Sequence, residues 1–228
     1  MRPVNKGDSP YQTISDYHKA LSYLEGTIGE YCSYCEMPIQ NAPEVEHVVS
    51  KGKGGNITAW GNLLLACKYC NSRKSDTTTP TNKNDYIWPD EDNTAIAFQY
   101  TNGIPKINQS DLLGLDPSGN LFRRAENLFN LIKLDNIPLP SQKDRRFGRR
   151  IEAFECAKRS LCHWKAAKST SLECDMKEQI VMTAVQTGFF SIWSTVFYNE
   201  PELLIAFIEA FPGTNRECFD RLGHPSIT

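Results

Sequence analysis

The sequence predicts an α+β chain: a small cysteine-stapled core, then a short β meander, then a mainly helical C-terminal region. Three observations predict it. Four of the eight cysteines stand as two CxxC pairs, Cys32/Cys35 and Cys67/Cys70. Two short strand-like stretches lie between the pairs. Beyond Pro138 and Pro140 the apolar spacing is helical almost to the end.

Taken in order, residues 1–12 read as extended, with Pro3 and Pro10 as breakers. Ser15 or Asp16 caps a helix that runs to Ile28, with Tyr17, Leu21, Leu24 and Ile28 on one face and Gly29 as its stop. Residues 44–49 alternate as a strand, 51–56 form a glycine-containing loop, 60–66 an apolar strand, and 67–76 a helix. Residues 77–92 read as loop. Residues 94–100 read as a strand, and Gly103-Ile104-Pro105 as a turn into a second one. Residues 112–120 read as loop and 121–134 as helix, followed by helices at 142–168, 173–198 and 200–211, with Pro201 in the first turn of the last. The organisation is an arm and helix (1–30), the core (31–80), loop, meander and helix (81–140), and the helical region (141–228).

The 228 residues are 40% hydrophobic and 23% charged, an ordinary globular composition that excludes a disordered chain. The longest uninterrupted apolar run, Leu203 to Ile208, is six residues, far short of the ~18 that span a bilayer. No apolar leader region follows Met1, so a cytoplasmic protein without a membrane segment is expected. The net charge of −2 argues against a free-standing, tight nucleic-acid binder. Residues 141–174, however, carry nine basic and four acidic residues, densest at 143–150. That stripe is either a solvated helix face or a track for phosphates, with Arg145, Arg146, Arg149 and Arg150 as the contacts.

Two CxxC knuckles separated by 31 residues place four thiolates around one Zn²⁺ and leave no open coordination position. Such a zinc is structural. Cys156, Cys162, Cys174 and Cys218 fit no common ligand spacing, Cys162-His163 included, and are expected to be buried or half-buried structural cysteines.

The order Cys-x2-Cys, Glu46-His47, Asn62-Leu63, Cys-x2-Cys-Asn71-x2-Lys74 resembles the zinc-containing HNH endonucleases, whose core is the ββα-metal fold. The resemblance covers residues 32–76. It implies a nuclease that hydrolyses phosphodiester bonds of DNA or RNA at a single divalent metal. The residue chemistry agrees. Imidazole has an ordinary pKa near 6.5, so His47 offers a neutral general base. Glu46 and Asn71 offer hard oxygen ligands for Mg²⁺ or Mn²⁺. Neighbours on a strand face opposite ways, so Glu46 and His47 need either a distortion or separate roles. By the resemblance, Asn62 orients the imidazole or braces the loop; Lys74 lies on the Asn71 side of its helix and is positioned for a phosphate. Many members have Asp where this chain has Glu46. Some carry a further histidine where this chain has Lys74 and Ser75, which leaves two protein ligands and favours Mg²⁺.

The aromatic residues 189, 190, 193 and 197 have helical spacing and form either a core or a docking face. The opening Met1 to Lys6 and the tail Phe211 to Thr214 resemble the nuclease subunit of Septu-type antiphage systems, including those attached to retrons. That resemblance implies an effector of a defence complex with an ATPase partner of ABC or SMC-like fold. The rival reading is a zinc-knuckle module that binds nucleic acid or protein without cutting. A third makes the C-terminal helices a silencing element.

Overall fold

In the computed structural model, which describes residues 1–226, the cysteine-bearing segment forms two strands and a helix. Strand β1 (Glu44–His47) pairs antiparallel with β2 (Leu63–Ala66), Glu44 opposite Ala66 and His47 opposite Leu63. Every residue of β2 is buried. The expected strand at 60–66 is shorter at its start, where Trp60–Asn62 coil as a 3-10 turn. Helix α2 (Lys68–Lys74) follows at once, and the Cys67 sulfur caps it by accepting the Cys70 amide at 3.4 Å.

The N-terminal helix begins as a 3-10 turn at Tyr17–Ala20, capped by the Asp16 carboxylate, and continues as α1 (Leu21–Ile28). Further on, Asn93 caps a short α3 (Thr94–Ala97) where a strand is expected, and the strand starts only at β3 (Phe98–Thr101). Its partner β4 (Ile104–Ile107) is reached through Asn102 and Gly103, both at positive φ, the tightest hairpin turn. Helix α4 (Gln109–Leu115) runs into the 112–120 stretch expected to be loop, since its Gly114 is tolerated inside the helix. Asp116 then accepts the Leu121 amide of the next helix at 2.8 Å, and α5 (Asn120–Ile132) follows.

The C-terminal region holds α6 (Arg146–Ala167), α7 (Glu173–Thr187), α8 (Phe190–Val196) and α9 (Pro201–Ala210). The single helix expected over 173–198 is two. It breaks at Gly188 and Phe189, both at positive φ. The Phe189 amide donates to the Glu36 carbonyl at 3.0 Å, and a Cβ at Gly188 would lie 2.7 Å from Pro38. The break therefore lets the α7–α8 junction sit on the first cysteine knuckle. Phe189, Phe190, Trp193 and Phe197 are all buried, so these aromatics are core and the docking face is not there. Cys218 is buried and Cys156 half-buried, as expected; Cys162 and Cys174 are exposed, because they fall on the outer faces of α6 and α7.

One buried apolar cluster runs from Met1 to Phe211. The opening and tail segments meet in a seam. Val4 bridges to Thr214, and Arg2 reaches the Thr214 hydroxyl at 3.0 Å and the Ile28 carbonyl at 2.7 Å. No helix among the described residues is long and apolar enough to cross a membrane.

Candidate active site and zinc centre

The four knuckle cysteines converge. All are buried, and their sulfurs lie within 4.8 Å of one another. Tetrahedral zinc with bonds near 2.3 Å requires sulfurs about 3.8 Å apart; Cys35 and Cys67 are 3.7 Å apart. The four thiols fit a structural Zn²⁺.

Four thiolates around one Zn²⁺ form a buried site of net negative charge, and Arg146 answers it. Its Nη1 donates to Cys70 Sγ at 3.4 Å and to the Ile132 carbonyl at 2.8 Å. Nη2 donates to the Lys133 carbonyl and to Asp144 Oδ2, and Nε to Asp144 Oδ1. All five guanidinium N–H groups are used. Two of the acceptors are end carbonyls of α5, which have no partner in their own helix. One side chain thus closes α5, pairs Asp144 and neutralises a zinc ligand. Arg146 is expected to contact nucleic acid; at 1% exposure it cannot. Arg150 is buried as well, for the same reason: 146, 150, 153 and 157 form the inner stripe of α6. Arg145 and Arg149 lie on the outer face, exposed, and line open clefts with Tyr69 and Glu152.

On β1 the alternation is regular, with no bulge in the register, and Glu46 and His47 therefore point to opposite faces. Glu46 turns toward α2. It is buried, accepts the Tyr34 hydroxyl at 2.5 Å, and pairs with Lys74 Nζ at 2.7 Å. Lys74 is buried too and also donates to the His47 carbonyl at 2.6 Å. Burial holds the Glu46 pKa above the ordinary carboxyl value, against the opposing pull of Lys74 and Tyr34. Asn71, one turn before Lys74, donates to Glu44 Oε2 at 2.7 Å, not toward Glu46. The two expected cation ligands do not converge: Glu46 has both oxygens engaged inside the protein. Lys74, expected at a phosphate, is the clamp between β1 and α2.

His47 faces the other way, toward the N-terminal helix and the 48–62 loop. Its Nε2 lies 3.0 Å from the Ile57 carbonyl. A carbonyl only accepts, so Nε2 carries the hydrogen and Nδ1 keeps its lone pair. Nδ1 makes no hydrogen bond within the protein, and His47 as a whole is 7% exposed. Burial, assisted by the charges of Lys51, Lys74 and His18, lowers the His47 pKa below its ordinary value, although the Ile57 contact opposes this. The surroundings therefore favour the neutral imidazole.

The loop that supplies Ile57 is held by Asn62. Its Oδ1 accepts the Val49 amide at 2.7 Å, and its Nδ2 donates to the Val49 and Asn56 carbonyls at 3.0 and 2.9 Å. With these bonds made, the side chain braces the loop and acts on His47 through Ile57. Gly55 completes the brace, since a Cβ there would stand 2.0 Å from the Val49 carbonyl oxygen. Sequence reasoning misses Tyr17, His18, Lys51 and Tyr34. The Tyr17 ring lies edge-on to His47 with centroids 4.7 Å apart, and Lys51 Nζ donates to its hydroxyl at 3.2 Å. No local pattern marks Tyr17, because its partner is 30 positions away.

Residues 32–77 match the family model described as HNH endonuclease, about a fifth of the chain. The match includes all four knuckle cysteines, His47, Asn62 and Lys74. No curated protein and no solved structure matches this chain. The chain therefore carries an HNH domain on a zinc-binding cluster of four cysteines, which supports a nuclease acting on nucleic acid.

Proposed function

We propose that this protein is an HNH nuclease that hydrolyses phosphodiester bonds, with His47 as its general base. The single observation that carries the reading is the state of His47: Nε2 anchored on a carbonyl, Nδ1 without a hydrogen bond inside the protein, and surroundings that favour the neutral ring. Nδ1 takes the proton of an attacking water. Asn62, Gly55 and Ile57 hold the ring in place, and Lys51 supplies positive charge beside it. The zinc keeps β1, β2 and α2 together and has no part in the cleavage. Magnesium or manganese is the family's expectation, and the sealed Glu46 offers neither ion an oxygen. Arg145 and Arg149 remain the proposed backbone contacts.

The test is cleavage of supercoiled plasmid and of total cellular RNA, in Mg²⁺ or Mn²⁺, by wild type and His47→Ala. Wild-type cleavage lost in the variant, with zinc content and melting temperature unchanged, is expected; retained cleavage sinks the assignment. The sealed Glu46 favours one rival, a zinc-knuckle module that binds without cutting. Tight binding with no cleavage of either substrate would establish that module instead. The role as an antiphage effector with an ATPase partner, in the cytoplasm, rests on resemblance in the opening and tail segments. Ile137 and Leu139, exposed beside the Arg145 cleft, give such a partner apolar surface. Co-purification with the neighbouring gene product tests it.

A further inference from the structure

Taking a proton from water is half of a hydrolysis. The sugar oxygen that leaves is a poor leaving group unless it receives a proton. A second imidazole packs on the same phenol as His47, and it lies outside residues 32–77. The His18 ring packs on Tyr17 with centroids 4.0 Å apart, and the His47 ring packs on the same phenol. His18 Nδ1 is 2.7 Å from Asp16 Oδ1, and the His18 backbone amide reaches the same oxygen at 3.0 Å. Because a carboxylate only accepts, Nδ1 carries a hydrogen and the ring is fixed. The side chain is 69% exposed, which leaves the Nε2 edge to solvent. Lys51 Nζ lies 4.9 Å from the centre of the Tyr17 ring, which puts a cation on the phenol that both imidazoles touch. The other charged groups nearby are Lys19, which is tied to Ser15, Lys74, which is sealed against Glu46, and Asp76, which lies beside Gly52.

We propose that His18 is the second proton-transfer residue of this site, protonating the departing sugar oxygen of a phosphodiester seated on Tyr17 between the two imidazoles. This rests on the nuclease reading. The water oxygen forms a bond to phosphorus as its proton passes to His47 Nδ1. The bond from phosphorus to the sugar oxygen breaks as that oxygen takes the Nε2 proton of the His18 imidazolium, whose Nδ1 hydrogen stays directed at Asp16. His47 ends protonated and His18 neutral, and exchange with solvent resets both. Lys51 faces the phosphoryl oxygens.

The experiment uses the full chain as wild type, His47→Ala, His18→Ala and His18→Gln. The substrates are the nucleic acid that wild type cuts, plasmid or total RNA, and bis(4-nitrophenyl) phosphate, whose 4-nitrophenolate departs without a proton. On the nucleic acid, both His18 variants are expected to lose about 100-fold in rate. On the aryl diester they lose a few-fold at most. Equal losses on both substrates would mean His18 only binds or supports the fold, and no loss on either would mean it is a bystander; each overturns the proposal. A His47→Ala protein that still cuts, or a wild type that cuts neither substrate, sinks the nuclease reading itself.

Discussion

Replacing Arg146 by Met should loosen the zinc without touching a zinc ligand. Methionine fills a similar length but donates no hydrogen bond. Five acceptors lose their donor: Cys70 Sγ, the Ile132 and Lys133 carbonyls, and both oxygens of Asp144. Asp144 is left buried with only Asn136 and the backbone amide of residue 146 beside it. Breaking a buried ion pair from one side destabilises by about 3–5 kcal/mol. At roughly 2–4 °C per kcal/mol for a chain of this size, the melting temperature falls by about 6–20 °C. Removing an outer partner of a metal ligand weakens metal binding by about 10–100-fold, or about 1.4–2.7 kcal/mol. The assay is zinc retention across a chelator series together with a thermal melt, with Arg146→Lys in parallel. Lysine keeps the charge but cannot fork to five acceptors, so it should fall between the two. A folded Arg146→Met protein with wild-type zinc affinity and an unchanged melting temperature would refute the reasoning.

Gly55→Ala should lower both stability, by about 1–3 kcal/mol, and cleavage rate, since the new methyl meets the Val49 carbonyl and displaces the loop that holds His47; a melt and a rate identical to wild type would show that the loop does not position the base. On the acid side of its pH profile, cleavage should rise as His47 loses its proton, with a midpoint below the ordinary imidazole value of about 6.5, because the fold disfavours the charged ring. Lys51→Ala removes one of the charges responsible, so its midpoint should move up; an unmoved or lower midpoint counts against that cause. Arg145→Ala with Arg149→Ala should weaken nucleic-acid binding and flatten its dependence on salt by about two phosphate contacts, as read by a titration at several salt concentrations; an unchanged slope would remove both residues from the interface.

The zinc knuckles, β1, β2 and α2 are legible because each is local: CxxC spacing, alternation over four residues, and a cap supplied by Cys67 itself. His47 stands out by its motif. What it touches is not legible, because Tyr17 and Ile57 reach it across the fold, and Ile57 contributes only a carbonyl that no side-chain pattern marks. The errors on charge have a simpler origin. Arg146 and Arg150 share the helical phase of Ala153, Ala157 and Trp164, so the period of α6 places them inside even though their neighbours in sequence are basic. Lys74 follows the buried Cys70 by four residues and is inside by the same rule. A run of like charge hides such residues because composition averages over faces that a helix separates. The break at Gly188 is not legible either, because the helical pattern continues through it; the cause is contact with Glu36 and Pro38, remote in sequence.

Glu36 follows the first cysteine knuckle directly, and its carboxylate accepts the amide and the hydroxyl of Ser191, 155 positions later. During synthesis at about 5–20 residues per second, that partner emerges on the order of 10–30 s after the knuckle. His18, His47 and Lys51 are all in the nascent chain by residue 77, whereas the groups that seat their frame, Arg146 and Ser191, are still to be made. A chain of this design carries its proposed site residues for most of its translation before it carries the frame that fixes them.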